Sequence, residues 1–332
     1  MKIGLMSFAH HHAESYARQL AAMPDVEVLG LADDDAERAQ QYAQQLGLRL
    51  YPSYEALLWA RPDAVIICSE NSRHRPLVEL AAAAGAHVLC EKPLATTLED
   101  GQAILTACSQ HGVKLMTAFP MRFSAPIMEI KASLAAGDLG QVYCCNATNQ
   151  GTVPRNYRAW FVDPQLAGGG AVMDHTVHVV DILRWYLGSE VVEVYAQTNR
   201  IIQGEQVAVE TGGLLMVTFA NGVFATIDCS WSKPVGFPTW GGLTMELITD
   251  RGAVGVDAFR QNLTVYSAER GRPIWDHWGS DADGRMLADF IAAIREDRNP
   301  GVTGIDGYRA LEVALAAYTS AAQGQPVRLP TG

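Results

Sequence analysis

Asp174 and His178 lie four residues apart in a run that starts with glycine and continues without a break, Gly168-Gly169-Gly170-Ala171-Val172-Met173-Asp174-His175-Thr176-Val177-His178-Val179-Val180-Asp181. On a helix, residues at that spacing share a face, and Asp181 continues it. An imidazole titrates near neutrality, and a carboxylate beside it can orient it, so the pair is suited to moving a proton. Taken alone, the same spacing fits a satisfied core histidine behind a helix-starting aspartate. Val172, Val179, Ile182, Leu183 and Leu187 supply apolar cover around the rest of the helix. A second reactive group is Lys92, one of only five lysines against twenty arginines. It sits between an acid and a proline, just after the apolar run His87 to Cys90. Its plain alternative is an exposed loop lysine.

These groups need elements to hold them. From Lys2 to about Phe119 short apolar runs alternate with helical stretches: strands at Lys2 to Met6, Val26 to Ala32, Ala64 to Cys68, His87 to Cys90 and Lys114 to Ala118. Helices are expected at His12 to Ala22, Ala36 to Gln45, Tyr54 to Trp59, Arg75 to Ala84 and Leu98 to His111. Strands that recur after helices imply a doubly wound parallel sheet of the Rossmann type, which binds ligands at the carboxyl ends of its strands.

The first strand-to-helix turn is where a dinucleotide's pyrophosphate would meet a helix N-terminus. It reads Ser7-Phe8-Ala9-His10-His11-His12 and lacks G-x-G-x-x-G. Ser and Ala permit fairly close backbone approach, but neither takes positive φ without cost. The three histidines are expected to be structural or phosphate-side groups and not a metal site, because neighbours in a turn diverge and no carboxylate or cysteine stands at ligand spacing. The second strand ends in Asp33-Asp34-Asp35, where an acid accepts the hydroxyls of an adenosine ribose and repels a 2′-phosphate, favouring NAD over NADP. Asp34 or Asp35 also suits a helix cap.

From Val142 onward the pattern is one of long alternating strands. Leu214 to Phe219 and Val223 to Trp231 join across Asn221-Gly222, and Leu243 to Thr249 and Val254 to Phe259 across Asp250-Arg251-Gly252, as an antiparallel meander would. Helices at Ala125 to Ala136 and Val172 to Leu187 cover one face, with terminal helices near Gly284 to Arg295 and Ile305 to Ala322. Two domains are expected, 1–120 and 121–332, the second built on a large, mostly antiparallel open sheet. Tyr157, Arg158, Trp160, Trp231, Phe237 and Trp240 are aromatic or polar groups in loops and strand ends, suited as a set to stacking on a sugar ring.

A net charge of −11 with no basic run excludes a nucleic-acid partner. The six cysteines show no metal-ligand spacing and read as small core residues in a reducing compartment. With no leader segment and no apolar run able to span a bilayer, a cytoplasmic protein without a membrane partner is expected.

Cys90-Glu91-Lys92-Pro93-Leu94-Ala95, followed by the triple glycine and Asp174-x-x-x-His178-x-x-Asp181, resembles the glucose-fructose oxidoreductase, inositol dehydrogenase and rhizopine-catabolism (Gfo/Idh/MocA) family. Ser69 to His74, Pro120-Met121-Arg122-Phe123 and Trp185-Tyr186-Leu187-Gly188 extend the resemblance over essentially the whole chain. The first turn departs from the family pattern: it lacks the glycines and looks about two residues shorter. The resemblance implies Lys92, Asp174 and His178 as catalytic residues. It implies a dinucleotide held by Ser7, Phe8, Ala9, His10, His11, Asp33, Ser69, Glu70, Asn71, His74, Glu91 and Lys92. It also implies a substrate held by Lys92, Arg122, Tyr157, Arg158, Trp160, Asp174, His175 and His178. His178 is then the base for the substrate hydroxyl, Asp174 orients it or holds a neighbouring hydroxyl, and Lys92 binds the reacting oxygen and depresses the histidine's pKa. The expected reaction is NAD-linked oxidation of a ring hydroxyl on a sugar, glycoside or cyclitol. Alternatives are a glycosidase that oxidises C3 transiently and a non-catalytic dinucleotide-binding regulator. A homodimer or homotetramer built on the second sheet is expected.

Overall fold

Four consecutive apolar residues, Ala64, Val65, Ile66 and Ile67, are all buried, and a strand apolar on both faces must be covered on both. In the computed structural model, which describes every residue except 157, 235, 240, 261, 268–271, 278 and 331–332, this strand is the middle of a five-stranded parallel sheet. The chain runs β1 (Lys2–Met6), α1 (His12–Ala22), β2 (Glu27–Ala32), α2 (Ala36–Leu46), α3 (Tyr54–Trp59) and β3 (Ala64–Ile67). It continues through α4 (His74–Ala83), β4 (His87–Cys90), α5 (Leu98–Gln110) and β5 (Leu115–Thr117).

The strand order is β2-β1-β3-β4-β5. The chain leaves β1 toward one edge and returns on its other side, and this reversal opens a crevice beyond the carboxyl ends of β1 and β3. α1 buries Ala13, Tyr16, Ala17 and Leu20, one helical stripe that seats it against the sheet. Asp35, Ser53 and Thr97 cap α2, α3 and α5 through their side chains, each cap contributing about 1 kcal/mol. The alternation expected from sequence holds, with element ends shifted by a residue or so. This compact unit comprises Met1–Phe119 together with Gln165–Gly168 and Asp283–Tyr308.

The second unit comprises Pro120–Pro164, Gly169–Ala282 and Arg309–Gly332. After α6 (Ala125–Ala135) come β6 (Val142–Gly151), α7 (Pro164–Ala167), α8 (Ala171–Leu187), β7 (Val191–Asn199), β8 (Gly212–Phe219), β9 (Phe224–Asp228), β10 (Gly241–Thr249) and β11 (Gly252–Asp257). A separate hairpin of β12 (Asn262–Ser267) and β13 (Arg272–His277) follows, then α9 (Ala282–Arg295), α10 (Gly304–Gln323) and β14 (Val327–Arg328).

The large sheet has the order β11-β10-β6-β9-β8-β7-β14. Both expected hairpins are present, but the meander is not: β6 inserts between β9 and β10 and runs parallel to β9. The strand expected from Val223 to Trp231 stops at Asp228, whose carboxylate accepts from the N–H and hydroxyl of Ser230 at 3.0 and 2.6 Å. That turn ends the ladder and carries Trp231 into the core. α8 packs on β6 and β8 and is buried along nearly its whole length. It stops at Gly188, φ 56°, a left-handed conformation that glycine adopts without cost. Tyr143, Leu214, Met216 and Phe224 stand exposed on strands of this sheet.

Candidate active site

The first turn closes without glycine. Ser7 takes φ 68°, a conformation that costs an L-residue about 1 kcal/mol or more. The surrounding bonds hold it there. Ser7 N–H donates to Ala32 O at 2.8 Å and His10 N–H to Cys68 O at 2.8 Å. Phe8 N–H donates to Asp33 Oδ2 at 2.6 Å, and Ala9 N–H to the Ser7 hydroxyl at 3.2 Å. The Asp33 carboxylate is fully buried and also takes a bidentate pair from Arg38, at 2.9 and 2.6 Å. Burial pushes its pKa up, but Arg38 and the backbone donors outweigh that and hold it below the usual carboxylate range. Asp33 thus braces the turn as well as marking the end of β2.

The expectation that the three histidines diverge is corrected. The ring of His10 lies 4.7 Å from that of His11 and 4.3 Å from that of His12, and those of His11 and His12 are 4.4 Å apart. One nitrogen of each falls within 4.8 Å of the others. Entry into α1 gathers them, and a carboxylate joins them after all: Glu91 Oε1 lies 2.9 Å from His12 Nδ1 and 3.8 Å from His10 Nδ1. Both Nδ1 atoms are engaged, since His10 Nδ1 also accepts from His12 N–H at 3.2 Å. Burial and the neighbouring imidazoles push His10 well below its ordinary pKa. At His12 burial acts the same way, yet the charge and hydrogen bond of Glu91 prevail and the pKa rises. Glu91, despite burial, is drawn below its usual value by His12.

Glu91 links this turn to the next one, because its Oε2 accepts from Lys92 N–H at 3.1 Å. Lys92 is buried, its relative exposure 2%, which removes the exposed-loop reading. Lys92–Pro93 is a cis peptide. His74, also buried, places Nδ1 3.0 Å from Pro93 O and Nε2 3.3 Å from Ser69 O. It staples the turn after β3 to the turn after β4, a task different from presenting its ring to a ligand. Ser69, Glu70 and Asn71 are buried beside it. The Asn71 amide donates to Ala167 O at 2.9 Å, while its buried Oδ1 has no hydrogen-bond partner among the described residues.

In the second unit α8 carries Asp174, His175, His178 and Asp181, all buried. Asp174 Oδ2 accepts from the Trp231 indole at 3.2 Å and lies 3.2 Å from His175 Nε2. Asn149 donates to His175 O at 3.0 Å, tying the helix to β6. Asp181 and Arg122 form a buried bidentate pair at 2.7 and 2.6 Å. That commits one face of the Arg122 guanidinium to holding the helix. Trp160 is buried and stacked on Phe161 at 4.1 Å, while Arg158 is half-buried beside them. Trp231, expected in the cleft-reaching aromatic set, is wholly buried. Tyr157 and Trp240 lie outside the described residues. His12 was read only as one of the three turn histidines, and Asn149 and the pair Glu210 and Tyr318 were missed from sequence. Only His12 carried a signal, its place at the start of a helix after the first strand.

Two family models match: the oxidoreductase family's NAD-binding Rossmann fold over residues 3–119, and the GFO/IDH/MocA C-terminal domain over residues 127–254. Among similar proteins are a 1,5-anhydro-D-fructose reductase of Ensifer adhaerens, 31% identical over 92% of each chain, and a scyllo-inositol 2-dehydrogenase (NAD(+)) of Bacillus subtilis strain 168. The latter is 29% identical over 98% of this chain and 95% of its own. The crystal structure of GenD2 from gentamicin A biosynthesis in complex with NAD has the same fold, with a TM-score of 0.89 at 24% identity over 100% of this chain and 97% of its own. A switch-point crevice, a lysine turn at the end of β4 and a glycine-led helix with Asp174 and His178 thus occur in one chain that both models cover, and it belongs to the Gfo/Idh/MocA family of NAD-binding oxidoreductases.

Proposed function

We propose that this protein oxidises, reversibly, a ring secondary alcohol of a sugar, glycoside or cyclitol with NAD, using Lys92, Asp174 and His178 as catalytic residues. The observation that carries this reading is the state of α8, where Asp174 has one oxygen fixed by Trp231 and His178 follows one turn later on the same face. Names of relatives support the substrate class, being those of a reductase of an anhydro-sugar and a dehydrogenase of an inositol.

The chain's own groups suit a dinucleotide. The N-terminus of α1 offers its dipole to a pyrophosphate. The Ala9 N–H and the His12 N–H, each bonded at 3.2 Å to a side chain two residues away, are donors at the start of α1 that suit ligand oxygens. Asn71 Oδ1 suits a carboxamide donor. Asp33 favours NAD over NADP.

NAD, when bound, supplies the hydride acceptor. His178 takes the hydroxyl proton, Lys92 donates to the reacting oxygen as negative charge develops on it, and Asp174 holds the imidazole or the adjacent hydroxyl. Arg122 and Asp181 keep the helix in place. Arg158, Trp160 and His175 remain proposed as the wall of the substrate site. The exposed residues of the large sheet, with a groove of about 670 Å³ lined by Asn146, Thr148, Thr226 and Glu246, suit a second copy of this chain. The cysteines are free thiols, which suits the cytoplasm.

The test is NADH formation over a panel of monosaccharides, glycosides and inositols, with NADP in parallel. Turnover on at least one member, abolished in His178→Ala and in Lys92→Ala while NAD still binds, is expected. Near-normal turnover in either variant would overturn the assignment, and release of free sugar without net NADH would replace it with the glycosidase.

A further inference from the structure

A helix leaves its first four N–H groups without partners inside the helix. In α8 these belong to Gly170, Ala171, Val172 and Met173, and two distant residues satisfy all four. Glu210 accepts Gly170 N–H at 2.9 Å and Val172 N–H at 3.0 Å through its carboxylate, and Ala171 N–H at 3.1 Å through its own carbonyl. The Tyr318 hydroxyl, on α10, accepts Gly170 N–H at 3.2 Å and Met173 N–H at 3.1 Å, and donates to Glu210 Oε1 at 2.8 Å.

The glycines make this approach possible. A Cβ on Gly169 would stand 2.0 Å from the Tyr318 hydroxyl, and one on Gly170 would stand 2.0 Å from Glu210 O. The next N–H along, that of Asp174, makes the first bond internal to the helix, to Gly170 O at 3.0 Å. The same short segment also holds the catalytic carboxylate from its other side, because Trp231, the donor to Asp174, anchors its own N–H on Thr211 O at 2.8 Å. Ala171, Val153, Val207, Val209 and Trp231 form one buried cluster around it.

We propose that Glu210 and Tyr318 are positioning residues, which act together with Thr211 to set the register of α8 and the aim of the Asp174 carboxylate. The proposal rests on the reading of α8 as the catalytic helix. The bonds to the four N–H groups by themselves close only the helix end. Here one dipeptide fixes both the helix end and the donor that orients Asp174, so a disturbance at Glu210 reaches the reacting groups and not only the fold.

Glu210→Gln keeps the shape and one acceptor oxygen while removing the charge, and Tyr318→Phe removes only the hydroxyl. Each is expected to lower kcat about 10-fold with KM and NAD affinity changed less than about twofold. The double variant is expected to lose less than the product of the two single losses. Amide hydrogen exchange of the substrate-free protein is expected to quicken about 10-fold or more over residues 171–178 and to stay unchanged over the five-stranded sheet. Normal kcat in both folded single variants, beside a dead His178→Ala control, overturns the positioning role and leaves the catalytic reading standing. An active His178→Ala overturns that reading itself. Unchanged exchange over 171–178 in both variants overturns the cap as a determinant of the helix's register.

Discussion

Two helices of this chain begin at turns that face the same problem, and they solve it in opposite ways. At α1 the turn has no glycine, Ser7 is held at positive φ, and the N–H groups of Phe8, Ala9 and His12 are met by Asp33 or by side chains two residues away. At α8 three glycines precede the helix, and a carboxylate, a backbone carbonyl and a phenol from far along the chain meet the first four N–H groups. The first end is held by bonds to nearby side chains, which on the proposed reading give way to a dinucleotide's oxygens. The second is closed by the protein itself, which suits the catalytic role proposed for Asp174 and His178.

The contrast breaks first at the chemistry. His178→Ala should reduce kcat by about 10²- to 10⁴-fold, the usual range for losing a general base, while NAD affinity, a property assigned to the first unit, stays within about twofold. Stopped-flow NADH formation and fluorescence titration of NAD separate the two, and a parallel loss of NAD binding would mean the two ends are not independent.

Next is Gly170→Ala, in which the new methyl stands 2.0 Å from Glu210 O and forces the cap apart. Leaving buried N–H groups unmet should cost about 1–3 kcal/mol, read as a lower denaturant midpoint; an unchanged midpoint would show that the close approach matters little. A smaller effect is expected from charge at the first end. Glu91 has a folded pKa depressed below 4.5, so its contribution is present above that value and lost as pH falls through the lower folded one. His12 has a folded pKa raised above 6.5, so its contribution is full below that value and fades as pH rises through the raised one. The pair should therefore stabilise most between about pH 4.5 and 6.5. Urea midpoints of the parent and Glu91→Gln, compared across pH, check this, and a constant difference would refute it.

Smallest of all, Ser7→Gly should relieve the strained turn and stabilise by up to about 1 kcal/mol. The same change at α8 has no counterpart, since that end already has its glycines. A destabilised Ser7→Gly would show that the hydroxyl's bond to Ala9 outweighs the backbone cost.

How far the sequence could be read follows from how local each signal is. The parallel sheet was legible because a strand such as Ala64–Ile67 is apolar throughout and helices such as α3 and α5 carry their own caps. Lys92, Asp174 and His178 stood out by spacing and order. Glu210 and Tyr318 did not, because a cap supplied from a distant loop and a late helix leaves no mark near the helix it closes. The place of β6 between β9 and β10 was hidden for the same reason, since pairing partners far apart in sequence carry no adjacent turn to announce them. Trp231 misled as an aromatic near a strand end, because the bend after Asp228 that turns it inward depends on a single side chain.

Asp33, proposed above to favour NAD, also braces the first turn, and the combination sets a rule for anyone re-engineering cofactor preference. Replacing it by alanine to admit a phosphorylated ribose also strips Phe8 N–H of its acceptor and leaves Arg38 without its buried counter-ion. A workable exchange must keep a short oxygen at position 33 and turn Arg38 outward, so that the residue which once neutralised the acid becomes the one that greets the new anion.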